Sequence, residues 1–287
     1  MRTNLKLEHW IEFLKPEVGF RRLERSLEIS LERQDVKNSL NRTTIDKLTR
    51  LFVWLGEVSN LRESFGEDSP DFPRLVVLRG SGDVFCAGAD LKEMRSAAQL
   101  TEQQNQADAE RLFELFDAAA RIALPFCVCA HGAAMGGALG FIATSDFSFA
   151  TQRTTFCFSE VRLGIAPAVI SSFVLSRSSR ARVRQLMMTA RRFDPEAALQ
   201  AGLVDQVFSS AQEMAAEVQA MAQALTECSP TALIETKRLC RQPFHLQTSQ
   251  ARKDSIELIA RLRAGASGQE GLSAFFENRK PSWADKV

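Results

Sequence analysis

Leu27, Ile29 and Leu31 alternate with polar residues across Arg25–Arg33, the period of two that a half-buried strand needs. The period then changes. Ile45, Leu48, Phe52, Leu55 and Val58 recur at helical spacing behind Asn41 and Thr43, both able to cap a helix. The acids and prolines of Glu63–Pro73 read as a surface loop, and Leu75–Leu78 as a short buried strand ending at Gly80 and Gly82. Leu112, Leu115, Phe116 and Ala119 mark a second helix. Pro125 then opens the apolar run Phe126–Ala130, and Phe147–Ala150 behind Asp146 is a further strand. Strands that keep alternating with helices predict an α/β fold, with parallel strands joined by helical crossovers.

From residue 211 the pattern is helical only. Met214–Leu225 is amphipathic, and Pro230–Arg241 opens with Ser229 at its cap and a proline in its first turn. Leu258, Ile259 and Leu262 lie in a third helix, Leu272–Phe276 in a fourth. The chain thus divides into a strand-bearing core, 1–210, and a helical region, 211–287, suited to a small second domain or to oligomerisation.

Composition narrows the chemistry. With 36 Lys+Arg against 35 Asp+Glu the net charge is +1, which argues against a nucleic-acid binder. At 45% hydrophobic and 25% charged residues, wholesale disorder is excluded. No tyrosine is available as a catalytic acid, and only His9, His131 and His245 offer imidazole chemistry. The six cysteines form no C-x-x-C pair; Cys240 and His245 come nearest to zinc-ligand spacing but lack a second pair, so no metal is expected. Cys127 and Cys129 share one face of a strand, where free thiols behave as small hydrophobes. The N-terminus lacks a secretory apolar stretch, and Glu8, Glu12 and Glu17 oppose an organelle transit peptide. No run is long enough to span a bilayer. The expected location is the cytoplasm.

Two glycine clusters stand out. Arg79–Met94 (RGSGDVFCAGADLKEM) carries a strand into Ala87, Gly88 and Ala89 and then a helix start at Asp90. His131–Gly140 (HGAAMGGALG) does the same, with Gly136 and Gly137 in the opening turn of a helix that continues through Leu139, Phe141 and Ile142. Taken singly, each is compatible with an ordinary turn. Small residues also leave backbone N–H groups accessible, and a helix opening adds unpaired donors, which suits an oxyanion or a phosphate. The nucleotide loops are poorly matched: there is no G-x-x-x-x-G-K-[ST], and Gly80 and Gly82 lack the third glycine of G-x-G-x-x-G. Both clusters in one chain fit two donors converging on one carbonyl oxygen.

These clusters, with FSEVRLGIAP (Phe158–Pro167) and FDPEAALQAGLVDQV (Phe193–Val207), resemble the enoyl-CoA hydratase/isomerase superfamily, the crotonases, from about Leu27 to Trp283. The resemblance implies a spiral of ββα units, with a helical C-terminal region building homotrimers or homohexamers. It implies an acyl-CoA thioester as substrate and no cofactor, metal, nucleic acid or membrane besides. On that pattern the Ala89 and Gly137 N–H groups hold the thioester oxygen. Cys86, Ala87, Asp90 and Leu91 line the CoA, Gly136 and Gly140 adjoin the acyl group, and Lys92 faces the CoA phosphates or solvent. Phe275, Phe276 and Lys280 would close the site, from the same subunit or a neighbour.

Glu160 is the candidate acid or base. It is a lone carboxylate behind Phe156, Cys157 and Phe158, where burial would raise its pKa toward neutrality, and it matches a catalytic glutamate of the hydratases. The departure from the pattern is Gly140, where standard hydratases carry a second glutamate. One carboxylate suffices for a Δ3,Δ2-enoyl-CoA isomerase. Yet SEVRLGIAPAVIS and EGLSAFFENRKPSW resemble bacterial 3-methylglutaconyl-CoA hydratases, and GALGFIATSDFSFA resembles polyketide-branching dehydratases. The expected reaction is hydration across C2=C3 of 3-methylglutaconyl-CoA or a related branched thioester, the substrate's distal carboxylate or a bound water replacing the second glutamate. The alternatives are the isomerase, a dehydratase or decarboxylase on a carrier-protein thioester, and a catalytically weak CoA-binding relative. Arg162 is a candidate partner for the distal carboxylate, His131 a hydrogen-bonded loop residue, and Asp146 a structural tie.

Overall fold

The computed structural model describes residues 2–66, 72–97, 99–241 and 249–284. Helix α1 (Arg2–Leu14) leads into a hairpin of β1 (Val18–Leu23) and β2 (Ser26–Leu31). Next come α2 (Arg42–Gly56), α3 (Val58–Phe65) and β3 (Leu75–Gly80), then α4 (Leu91–Ala97), α5 (Glu102–Ala120) and β4 (Phe126–Ala130). Short elements follow closely: β5 (Ala133–Met135), α6 (Ala138–Thr144), β6 (Phe147–Thr151) and β7 (Thr155–Cys157). Then α7 (Ala168–Arg177), α8 (Arg180–Thr189) and α9 (Pro195–Gln200) lead to β8 (Gln206–Phe208). Helices α10 (Ala211–Leu225), α11 (Pro230–Arg241), α12 (Ser249–Ala264) and α13 (Ala266–Phe276) complete the order.

The main sheet runs β1-β2-β3-β4-β6-β8, and every pairing after the β1–β2 hairpin is parallel. Parallel neighbours need crossovers, and the intervening helices supply them. Helix α2 starts where the Asn41 side chain accepts the Thr44 N–H at 2.8 Å, and turns Leu48, Leu51, Phe52 and Leu55 inward. Their side of the sheet holds the main core, where Phe52 meets Phe126 and Phe141, and Phe141 meets Phe85 and Phe116. On the opposite face Leu75, Val77, Cys127 and Cys129 pack against Met214 and Ala222 of α10. The Cys127 and Cys129 sulfurs lie 3.9 Å apart there, on one face of β4. The helical region therefore begins as a layer lying directly on the sheet.

An ion pair between a buried lysine and a partly exposed aspartate fastens that layer. Lys237 of α11 places Nζ 2.5 Å from Asp146 Oδ2 and donates to the Leu124 carbonyl at 2.8 Å. Asp146 also accepts the Phe126 N–H at 2.7 Å. Burial pulls the Lys237 pKa down, and the facing Asp146 charge opposes it.

Three expectations change. Residues 25–33 do not form a half-buried strand, because β2 is buried along its whole length. Its Glu28 tolerates this by sitting 2.7 Å from Arg21 Nε and 2.8 Å from Arg79 Nε. Of the expected loop Glu63–Pro73, the first residues belong to α3, which continues to Phe65, Phe72 is buried, and 67–71 lie outside the described residues. Helix α1 and β1 were not foreseen; Trp10 of α1 packs its ring 5.7 Å from that of Trp54 on α2. Of the zinc-like pair, Cys240 is exposed, and His245 lies outside the described residues.

Asp146→Ala strands the Lys237 ammonium away from water, so it is expected to cost about 3–5 kcal/mol in urea unfolding. Lys237→Met removes the charge together with its need for a partner and is expected to cost clearly less; equal losses would contradict this account of the anchor.

Candidate active site

Three backbones run side by side beyond the ends of β3 and β4. Cys86 bridges to Ala134, its N–H donating to Ala133 O at 3.0 Å while its carbonyl accepts the Met135 N–H at 3.1 Å. On the other side β5 pairs in parallel with β7, Met135 opposite Cys157, and Gly136 N–H donates to Cys157 O at 2.9 Å. The residues that follow each strand therefore emerge at one place: Ala89 from the first, Gly137 from the second, Glu160 from the third.

Two glycines make this convergence sterically possible. Gly88 has φ +89°, and a Cβ on it would lie 2.7 Å from Met135 O and 3.8 Å from Gly136 Cα. Gly136 has φ +51°, and a Cβ there would point at Glu160 Oε1, 3.5 Å away. The first contact leaves no room for a side chain; the second puts the carboxyl group beside the second cluster.

The donors are free. Leu40 N–H donates to Gly88 O at 2.8 Å, and Asp90 N–H donates to Leu40 O at 3.0 Å. That parallel bridge uses the groups on either side of Ala89 and turns the Ala89 N–H the opposite way. Gly137 caps α6 from outside the helix. Among the described residues neither N–H has a hydrogen-bond partner.

Glu160 opens a short 3-10 turn, Glu160–Leu163, behind Phe158, whose ring stacks on Phe193 with centroids 6.0 Å apart. Burial pushes its pKa up, and only a hydrogen bond from its own backbone opposes the shift. Its Oε2 is buried without a hydrogen-bond partner among the described residues. The site thus has two open donors for a developing oxyanion beside one carboxyl able to take and return a proton.

Other sequence candidates are placed differently. Cys86 is fully buried and its thiol is pushed up to about 12 by burial, so only its backbone borders the site. The Asp90 carboxylate is turned into the protein: it meets Arg33 at 2.8 Å and Ser39 Oγ at 3.3 Å and caps α4 through the Lys92 N–H. Burial alone would raise its pKa, but the hydrogen bonds and charge of Arg33 hold it below the usual carboxylate range. Ala87 is half-buried, while Leu91 and Lys92 are exposed. Arg162 is exposed and makes no ion pair with Glu160 among the described residues. His131 is hydrogen-bonded through Nε2 to Gly82 O at 2.9 Å.

Gly140 does not face open space. A Cβ there would fall 2.5–2.8 Å from three carbons of the Phe116 ring. The same ring and Leu40 lie 3.9 and 3.8 Å from where Gly137 would carry a Cβ. A methyl fits at 137, and anything larger meets this wall. Sequence periodicity placed Phe116 only as a core residue of a helix; its position against both glycines has no local signal. Lys280 is not brought to the site within one chain. Three residues after it, Trp283 accepts a hydrogen bond from Arg74, ahead of β3, at the opposite end of the strands.

Residues 24–286 match the enoyl-CoA hydratase/isomerase family, and the chain belongs to it. An enoyl-CoA hydratase from Shewanella pealeana shares 32% identity and the fold, with a TM-score of 0.86 over 97% of this chain and 99% of that one. AtuE of Pseudomonas aeruginosa is 28% identical with a TM-score of 0.85, over 94% of this chain and all (100%) of that one. The mevalonyl-coenzyme A hydratase sidH of Aspergillus fumigatus is 27% identical over 260 residues, covering 89% of this chain and 90% of that protein. The protein is thus an enzyme of the hydratase/isomerase type with the crotonase fold.

Gly137 has φ −54°, which proline also adopts, so Gly137→Pro removes the N–H, while its ring presses on Leu40 and Phe116; Gly137→Ala, whose methyl fits and whose N–H remains, is the packing control. Turnover of an acyl-CoA substrate is expected to fall about 100- to 1000-fold in Gly137→Pro beyond any loss in Gly137→Ala, compared at a temperature below the melting point of both. Glu160→Gln tests the carboxyl separately. A group whose pKa rises on folding loses stability for the fold as pH climbs from its unfolded value through its folded one. Glu160→Gln is therefore expected to melt higher than the parent at pH 7, with the gap closing below the ordinary glutamate pKa; a gap independent of pH would contradict the assigned burial cost.

Proposed function

We propose that the enzyme adds water reversibly across C2=C3 of a branched 2-enoyl-CoA, 3-methylglutaconyl-CoA or a close relative. Two unpartnered N–H groups next to a single carboxyl carry the reading. In the hydration direction Glu160 takes a proton from water as its oxygen bonds to C3. The Ala89 and Gly137 N–H groups hold the enolate oxygen, and Glu160 then passes the proton to C2 as the C2–H bond forms. Every atom of the water is accounted for with one carboxyl group.

A branched C3 suits this arrangement. In the reverse direction the proton that Glu160 takes from C2 passes to the departing C3 hydroxyl, which leaves as water, so one carboxyl serves both positions. A relative named for mevalonyl-CoA, a 3-hydroxy-3-methyl thioester, supports the same class. The ring of Phe116 occupies the space a side chain at Gly140 would take, so the assistance would come from the substrate's own distal carboxylate or a bound water. CoA enters as part of the substrate, and the chemistry needs no cofactor of its own. In an assembled homotrimer or homohexamer, Lys280 and the exposed Phe275 and Phe276 of a neighbouring copy would close the site. Cytoplasm is the location that goes with this reading.

One observation favours a second reaction. A glycine at 140 blocked by an aromatic ring also suits an isomerase, in which Glu160 removes the C2 proton of a 3-enoyl-CoA and returns it to C4. The deciding experiment follows hydration of 3-methylglutaconyl-CoA and isomerisation of a 3-enoyl-CoA with the parent enzyme and with Glu160→Gln. Hydration abolished by the substitution is the expected result. Isomerisation without hydration would replace the hydratase reading.

A further inference from the structure

We infer that a second ligand site adjoins the Glu160 turn and takes an amphiphilic anion, a carboxylate carried on a hydrocarbon chain. A cavity of about 640 Å³ lies between the Glu160–Leu163 turn, the start of α7 and one face of α8. That volume is in the range of clefts that hold small organic ligands. None of Ala89, Gly137 or Glu160 lines it. It is therefore a place apart from the two open N–H groups and the carboxyl.

The bed of the cavity is apolar. Val161 contributes from the turn, Pro167 from ahead of α7, and Met187 and Met188 from α8. Val161 is 40% exposed and Met188 72%. A single exposed apolar side chain needs no explanation, but several gathered around one concavity form a surface that hydrocarbon covers better than water does. The flexible thioether side chains let that surface adapt to an occupant.

Only two charged side chains line the cavity, Arg180 and Arg184, and both are cations. They stand at i and i+4 on α8, so they share the face that carries Met187 and Met188. Neither has a hydrogen-bond or ion-pair partner among the described residues. Nearby arginines are committed elsewhere: Arg182 donates to Gln200 Oε1 at 2.8 Å, and Arg177 meets Asp205 at 2.6 Å. Like charges one turn apart repel, and no acid lines the cavity to relieve them. A carboxylate relieves them, because its two oxygens match the guanidinium fork. Its chain then lies along Val161 and the two methionines. Val161 directly follows Glu160, so an occupant bears on the turn that carries the carboxyl without entering its site.

Calorimetric titration of the parent protein with octanoate, butyrate, octanol and octyltrimethylammonium tests the site. Saturable binding of octanoate, one molecule per chain, is expected. Butyrate leaves most of the apolar bed uncovered and is expected to bind at least about 10-fold more weakly. Octanol keeps the chain without the charge and is expected to lose at least about 10-fold as well. The cationic octyltrimethylammonium is expected not to bind. Replacing both cations (Arg180→Ala with Arg184→Ala) is expected to weaken octanoate at least about 10-fold and leave octanol unchanged. Both side chains are exposed, so this variant is expected to melt near the parent. Ala181→Phe, which places a ring in the cavity wall, is expected to block octanoate and octanol alike. Octanoate binding that survives Ala181→Phe, or that the double arginine variant leaves unchanged, would overturn the proposal. Octanol or the alkylammonium binding as tightly as octanoate would overturn the charge recognition and the assigned ligand class with it. A parent that binds no octanoate, as when a second copy of the chain covers the cavity, would overturn the site itself.

Discussion

The site depends on one close approach: the backbone of Gly88 against the Met135 carbonyl and Gly136. At this spacing no side chain can stand between the first and second glycine clusters, so their chains lie against each other as short parallel segments. Pairing of β5 with β7 then adds a third segment at the same level, and Glu160 follows it by a few residues. The two free N–H groups and the carboxyl are side products of strand register. They are aligned because each follows a hydrogen-bonded stretch that cannot slip without exposing its buried neighbours.

The same packing divides the site into unlike halves. Glu160 is forced up in pKa by burial with no cation beside it among the described residues, so it holds its proton more tightly than an ordinary carboxyl and is better able to take one up and return it. Asp90, another buried acid close by, is driven the other way by Arg33 and becomes a fixed part of the loop that presents Ala89. Two carboxyls thus have opposite behaviour because one has a guanidinium partner and the other does not. The half of the site bordered by Phe116 and Leu40 has no titratable group at Gly140, and packing supplies the reason.

The helical region after β8 takes part in this scaffold. Met214 and Ala222 of α10 cover the sheet face opposite the main core, and Lys237 of α11 reaches to Asp146, which itself holds the first N–H of β4. The strand that delivers the second glycine cluster is thereby tied to the tail. An ion pair of this kind adds little net stability over an apolar pair, but it favours one docking geometry because any other leaves the buried Lys237 charge stranded.

Much of this could be read along the chain. Apolar spacing placed β3, β4, β6 and α2 within a few residues, and Phe126–Ala130 and Pro230–Arg241 are bounded as expected, since period and flanking proline are local properties. The run of small residues at Ala87–Ala89 and at Gly136–Gly137 signalled accessible backbone, and the lone Glu160 behind three apolar residues signalled a buried acid. What stayed hidden was relational. Leu27–Leu31 reads as half-buried because alternation reports side-chain polarity, and only the neighbours Arg21 and Arg79 make a buried Glu28 possible. Asp90 and Cys86 looked available for ligand because their partners, Arg33 and the core, lie far away in sequence or on another layer. The sequence by itself determined β3, β4, β6, α2 and the helical character of the tail, together with the two glycine turns and the single glutamate. Tertiary structure alone decided that their donors meet, that Glu160 lacks a partner, and that Phe116, 24 positions before Gly140 (140 − 116), fills the space which that glycine leaves. Contacts between residues so far apart arise from how layers stack, and no local pattern encodes them.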